Sequence, residues 1–329
     1  MQGNETVSLT VKPYSTTQSF IFSCYGLVSI LLGLFLDYLI LTQSKKLGAF
    51  KYCLLNQCIW SQFSEASLII ILPLFFENYL GGFMAGPSFR QIGSYNFSVC
   101  ATIVVFCMFI NAYTSVVFSV VNRFVFVFHP SKRALFNHKF TISGIVIFHI
   151  IVYIVFAQVI IMASSDGGTT RRQAHNEAQG ILDQYFDEPT FIYISENGGK
   201  TRIILKLTFY CMVVMVIFLF ACIAFFLFNV IYRTKTTIMS SKVAKSLVID
   251  ALLQTILCIF MLIIPIVFSL RIWGWNVRSN FDIVNHMELI LCFHGFANTL
   301  CTLFCVVPYR RYFLSCISNA KSKCKDWTN

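Results

Sequence analysis

Charge, and acid above all, is what this sequence has least of. Asp and Glu together number 14 in 329 residues, and all charged residues make up only 12%. A soluble domain carries roughly twice that fraction, so a water-facing globular fold is excluded. No His-Glu-x-x-His motif and no pair of Gly-x-Gly-Asp sites occurs, which argues against the metal and aspartyl enzymes that work inside membranes. No enzyme, cofactor or metal is therefore expected. Internal repeats, a mark of many transporters, are also missing, as is a low-complexity tail. Thirteen cysteines are present, yet they form no disulfide framework. Cys24, Cys53, Cys58, Cys107, Cys211, Cys222, Cys258, Cys292, Cys301 and Cys305 fall inside apolar stretches, where thiols act as small, soft hydrophobes. Cys100 alone suits an extracellular bridge. The segment 164–202 holds no cysteine to meet it, so no loop-to-helix disulfide is expected.

What the chain does have is apolar length. Hydrophobic residues reach 57% and the mean hydropathy is +0.72. Seven runs stand out, over residues 19–42, 52–76, 97–128, 140–163, 203–232, 246–270 and 283–307. A helix needs about 20 apolar residues to cross the hydrocarbon core. The expected fold is an all-α membrane protein, a seven-helix bundle with a short amphipathic helix after the last span. Its parts would be an extracellular amino terminus over 1–18, the bundle over 19–307 and a cytoplasmic tail over 308–329. The third and fifth runs exceed the bilayer and should tilt or project. The first is too long for a cleaved signal peptide and reads as a retained anchor.

The net charge of +11 could suggest nucleic acid, but its distribution points to a bilayer instead. Lys45, Lys46, Lys51, Lys132, Arg133, Lys139, Arg233, Lys235, Lys242 and Lys245 fill the odd-numbered connections. Arg310, Arg311, Lys321, Lys323 and Lys325 fill the tail. The one acid among these segments is Asp326. Glu5, Glu77, Asp166, Glu177, Asp183, Asp187, Glu188, Glu196 and Asp282 fall on the other side. Basic loops stay in the cytosol, so the amino terminus is expected outside and the carboxyl terminus inside. The sequon at Asn4 suits glycosylation on that outer side; a second, at Asn96, sits close to the membrane. In the tail, Tyr309 to Ile317 alternates basic and apolar residues, as a helix lying on the inner leaflet would. Cys316 and Cys324 there are candidate lipidation sites.

Polar residues inside spans are costly and mark candidate sites. Asp37 and Glu65 lie within the first two runs; Asp250 and Glu288 lie near span ends, where a carboxyl can reach the interface. Asn111, Ser115, Ser119 and Asn122 recur at helical spacing on one face of the third run. His294, Asn298 and Thr302 do so on the seventh. A network of Asp37, Glu65, Asn111, His294 and Asn298 is one expectation, with Ser115 beside it. Pro73 and Pro265 should kink the second and sixth spans, and a kink at Pro265 would serve as a hinge. Trp273 and Trp275 suit an interfacial aromatic belt or an aromatic ligand wall.

Several stretches, in order along the whole chain, resemble the nematode serpentine chemoreceptors of the Str-like superfamily, class H. These are Leu47-Gly48-Ala49-Phe50-Lys51-Tyr52, Asn122-Arg123-Phe124, Ser240-Ser241-Lys242, the segment from Gln254 to Pro265, and Pro308-Tyr309-Arg310. The resemblance implies a divergent G-protein-coupled receptor that detects a small molecule at a sensory cilium of the plasma membrane. It implies ligand contact in the outer halves of the spans, with Cys107, Asn111, Phe268, His286 and His294 as candidates. It implies contact with a heterotrimeric G protein through Asn122, Arg123, Lys242, Lys245, Arg310 and Arg311. Against rhodopsin-like receptors, Asn122 stands where an acid would precede the arginine. Ile263-Ile264-Pro265 replaces Cys-Trp-x-Pro, and Asn-Pro-x-x-Tyr is missing from the last span. A seven-span ligand-gated channel or transporter is the alternative; insect-type odorant channels have the opposite orientation. A retinal protein is excluded because 283–307 contains no lysine.

Overall fold

The computed structural model of the protein describes residues 16–44, 50–77, 79–86, 89, 92–128, 138–163, 166–233, 242–277 and 283–328. It is 84% helical. Among the described residues, six stretches are long and apolar enough to cross a membrane: Phe20–Gln43, Tyr95–Val125, Lys139–Met162, Lys200–Asn229, Lys245–Trp275 and Ile283–Cys305. They belong to α1 (Thr16–Gln43), α3 (Tyr95–Phe128), α4 (Lys139–Ala163), α6 (Lys200–Arg233), the pair α7 (Lys242–Leu257) and α8 (Ile264–Trp275), and the pair α9 (Ile283–Cys292) and α10 (His294–Cys305). The remaining bundle helix, α2 (Phe50–Ile71), has 22 residues but is too polar for that group. Its Gln57, Ser61, Ser64 and Glu65 are all buried. A helix α11 (Val307–Thr328) follows the bundle.

Apolar side chains cover the bundle exterior. Leu27, Leu31 and Leu34 of α1, Ile147, Ile151 and Ile154 of α4, and Ile203, Leu207 and Val214 of α6 are all exposed. Such a surface is stable against lipid tails and unstable against water. The chain is a multi-pass membrane protein. Helices α3 and α6 each run 34 residues, or about 50 Å, well beyond one hydrocarbon core.

The second run ends earlier than its composition predicts. Helix α2 stops at Ile71, and Leu72 turns to φ +44°. Pro73 lacks a donor and disfavours helical backbone in the residue before it, so it ends the helix rather than kinking it. The chain enters β1 (Pro73–Phe75), which pairs antiparallel with β2 (Gly81–Met84). A third strand, β3 (Ile192–Tyr193), adds to β2. The segment between α4 and α6 also holds α5 (Gly167–Glu177) and a 3-10 turn at Asp183–Tyr185. Leu74, Phe76, Phe83, Ala174, Leu182, Tyr185, Phe191 and Tyr193 share one buried cluster there. This end of the bundle therefore carries a folded cap. At Gly82 an added Cβ would lie 2.1 Å from the Leu74 carbonyl oxygen; only glycine lets the strands meet.

At Pro265 the α-helix is interrupted. The turn before it widens into a π-helix over Cys258–Ile263, and the Ile264 amide bonds back to the Ile259 carbonyl. The wider turn absorbs the ring that would otherwise strike the preceding carbonyl. The span continues through α8, with proline in its first turn.

Candidate functional site

Opposite the cap, the bundle interior is joined by polar side chains. Arg123 of α3 is 1% exposed and Asp250 of α7 is 0% exposed; Arg123 Nη2 lies 2.9 Å from Asp250 Oδ2. The carboxylate thus does not reach an interface, as a position near a span end suggested. It is the counter-ion of the arginine, and the Cys301 thiol of α10 contacts its other oxygen at 3.6 Å. Glu288 is likewise buried, at 4% exposure, rather than interfacial.

One helical turn beyond Asp250 on the same face stands Gln254. It accepts from Gln57 Nε2 at 3.0 Å and donates to Thr302 Oγ1 at 2.5 Å. Thr302 donates to the Asn298 carbonyl at 3.0 Å, and Asn298 Nδ2 donates to Ser61 Oγ at 3.1 Å. The path leaves α2 at Gln57, passes through α7 and α10, and returns to α2 one turn along, at Ser61. Each bond in such a chain polarises the next.

Nearer the cap, Tyr25 of α1 donates to Glu65 Oε1 at 2.5 Å. The seventh span is interrupted at Phe293, so α10 begins mid-bundle, and the Phe296 amide donates to the Glu65 carboxylate. An acid suits the positive end of a helix. Gly295 permits the approach, since a Cβ there would lie 2.3 Å from Glu65 Oε2.

The expected five-residue network divides into local groups. Glu65 joins Tyr25, and Asn298 joins Ser61. Asp37 accepts from Gln62 at 3.3 Å, and Asn111 donates to the Cys107 carbonyl of its own helix at 2.8 Å. His294 is 2% exposed, and neither ring nitrogen has a hydrogen-bond partner among the described residues. Ser115 is buried and bonds back to Ala112. Of the candidate ligand contacts, Asn111 and His294 are buried and Cys107 is half-buried. Phe268 and His286 are exposed, so the five do not share one enclosed space. Asn122 is half-buried; Lys245, Arg310, Arg311 and Cys316 are exposed. Tyr309 anchors the root of α11, fully buried and 2.5 Å from Ser44 Oγ. Asn4 and the side chains of Lys242 and Cys324 lie outside the described residues.

Asp250, Cys301 and Cys305 place their donor atoms within 4.8 Å of one another, close enough to share a metal ion. The Arg123 cation beside Asp250 opposes a second positive charge there. Cys100 is a free thiol.

At the capped end, Tyr193 donates to Glu177 Oε2 at 2.7 Å. Burial, and then that carboxylate, push its phenol upward. Asp166 accepts from the Gly168 and Thr169 amides at 2.9 and 3.0 Å and caps α5. Its hydrogen bonds from Thr169 hold the carboxyl below the usual range. Asn285 of α9 clasps the free edge of β1, accepting from the Phe75 amide at 2.8 Å and donating to its carbonyl at 3.1 Å.

Sequence reasoning passed over Tyr25, Gln57 and Gln254. The spacing of Gln57, Ser61 and Glu65, and of Asp250 and Gln254, was the available signal: each set repeats every four residues on one helical face.

No curated protein matches the chain at a significant level. A family model described as serpentine type 7TM GPCR chemoreceptor Srh matches residues 14–319, covering nearly the whole chain and every bundle helix described above. The protein belongs to the Srh family of serpentine seven-transmembrane chemoreceptors.

Proposed function

We propose that the protein detects a small molecule from outside the cell and activates a heterotrimeric G protein. Family membership supports a receptor rather than an enzyme, and the basic odd-numbered connections support an amino terminus outside. On this reading 1–18 is extracellular, 19–307 is the receptor bundle and 308–329 is the cytoplasmic tail. Asn4 is glycosylated, Cys316 and Cys324 carry lipid, and the receptor works in a sensory cilium. The ligand binds among the capped halves of the spans, with Cys107, Asn111, Phe268, His286 and His294 as contact candidates. The polar groups at Asp37, Glu65, Ser115 and Asn298 join the helices that move.

The observation that carries the reading is the buried pair Arg123–Asp250. It closes α7 over the buried arginine of α3, which on this reading contacts the G protein. A ligand that favours another arrangement of α7 and α8 shifts the population away from that closed state. Pro265 and the π-turn below it let the basic half of the sixth span swing. Arg123 then becomes accessible, with Asn122, Lys242, Lys245, Arg310 and Arg311 around it.

Two variants in a G-protein reporter cell test this. Asp250→Asn is expected to raise ligand-independent activation several-fold at equal surface level. Arg123→Ala is expected to abolish activation while still reaching the surface. Unchanged signalling by both, at normal surface density, would sink the assignment. Antibody access to an amino-terminal tag on intact cells tests the orientation and separates this receptor from an inverted seven-span channel.

A further inference from the structure

Where α7 meets α10, at the Arg123 end of the bundle, three metal-ligating side chains converge. Cys301 and Cys305 stand one helical turn apart on one face of α10, and Asp250 faces them from α7. Cys301 Sγ lies 3.9 Å from Cys305 Sγ and 3.6 Å from Asp250 Oδ1. All three donor atoms fall within 4.8 Å of one another. Asp250 is fully buried while both cysteines are half-buried, so an ion can enter from the side of the thiols.

These spacings match the edges of a metal tetrahedron. With zinc about 2.3 Å from sulfur and about 2.0 Å from oxygen, tetrahedral angles set two sulfurs about 3.8 Å apart and a sulfur and an oxygen about 3.5 Å apart. A mixed thiolate and carboxylate set favours a borderline-soft dication over calcium or magnesium, which take oxygen ligands. Spacing along the chain gives no metal motif here, because the third ligand stands on a different span.

We infer that Asp250 Oδ1, Cys301 Sγ and Cys305 Sγ form a zinc site, with water in the fourth position. Binding is a ligand exchange without oxidation or reduction. Each thiol gives its proton to water as its sulfur bonds the metal, and the Cys301 proton donated to Oδ1 is one of the two the ion replaces. Arg123 opposes a cation only while the thiols keep their protons. Once they are thiolates, the guanidinium and a dication together equal the charge of the ligand set. Arg123 pairs with Oδ2, the oxygen the metal does not need. A ligating carboxylate held by such a second partner is fixed in orientation. The occupied site therefore joins α7 to α10 and holds Asp250 against Arg123.

The test uses the full chain in nanodiscs under a phosphine reductant, with cobalt(II) as the spectroscopic probe and zinc as its competitor. Wild type is expected to bind cobalt saturably, with the visible absorption of a tetrahedral site and a sulfur-to-metal charge-transfer band. Zinc should erase both. Cys301→Ser and Cys305→Ser should each weaken the band and lower affinity at least about tenfold, as loss of even a supporting group does at metal sites. Asp250→Asn should lower affinity but keep the band, since both sulfurs remain. Cys305→His should still bind cobalt, with the band of a single sulfur; a misfolded receptor could not produce that change. Cys222→Ser, on α6 outside the cluster, should bind as wild type does. No tetrahedral spectrum in wild type, or unchanged binding in Cys301→Ser, Cys305→Ser or Asp250→Asn, would each overturn the site. None of these spectra involves a G protein, so the metal site and the receptor reading fail independently.

Discussion

The two ends of the bundle are fastened by different means. At the capped end the ties are backbone ladders and packed rings: β1, β2 and β3 in register, Phe76, Phe83 and Tyr185 clustered, and Asn285 closing the strand edge. At the Arg123 end they are single side chains: an ion pair, a thiol contact and a chain of amide and hydroxyl hydrogen bonds. A ladder with a packed core opens as a cooperative unit. An ion pair can exchange partners with little backbone change. The capped end is built to hold a shape; on the proposed reading, the Arg123 end is the one that rearranges.

Substitutions can break that comparison. The largest expected effect is Asp250→Ala, which leaves Arg123 buried without its counter-ion and should lower stability by about 3–5 kcal/mol. Thermal unfolding of the purified receptor measures this, and Asp250→Asn, which still accepts a hydrogen bond, should lie closer to wild type. Equal unfolding temperatures for all three proteins would mean the ion pair fastens nothing. Next comes Gly82→Ala, where the new methyl meets the Leu74 carbonyl. It should destabilise the cap by about 1–3 kcal/mol, speed amide exchange over 73–84, and leave basal signalling unchanged. Raised basal signalling would show that the ends are not separate.

Asn285→Ala removes two bonds to Phe75 and should weaken the cap's hold on α9 by about 1–2 kcal/mol. Faster exchange of the Phe75 amide, with the rest of the sheet unaffected, is the expected reading. The smallest effect concerns pH. Asp166 has its carboxyl held below the ordinary value when α5 is folded, so the cap contributes stability above the unfolded value. That contribution is lost as pH falls through the folded value. Protection of the Gly168 and Thr169 amides, measured relative to their intrinsic exchange rate at each pH, should fall on acidification, and the Asp166→Asn variant should lose that change in protection.

The bundle was legible where long apolar runs reach membrane length, as in α1, α3, α4 and α6. The cap was not. Strands of three, four and two residues are too short for an alternating pattern to register, and β3 pairs with a hairpin far away in sequence. Pro73 looked like a kink because apolar residues continue past it; the structure turns them into a strand. Arg123 was legible as a site only through the resemblance carried by Asn122-Arg123-Phe124. Its partner was not, since the customary neighbouring acid is replaced by Asn122 and the compensating acid comes from another helix.

Composition and run length by themselves determined that this chain crosses a bilayer repeatedly, because hydrocarbon admits only apolar stretches whose backbone bonds are satisfied internally. They also marked Asp37, Glu65, Asn111, His294 and Asn298 as costly polar residues inside spans. Which partner each one takes was decided only by tertiary structure. Pairing depends on how helices distant in the chain rotate and stack, and spacing within any one helix carries no record of that.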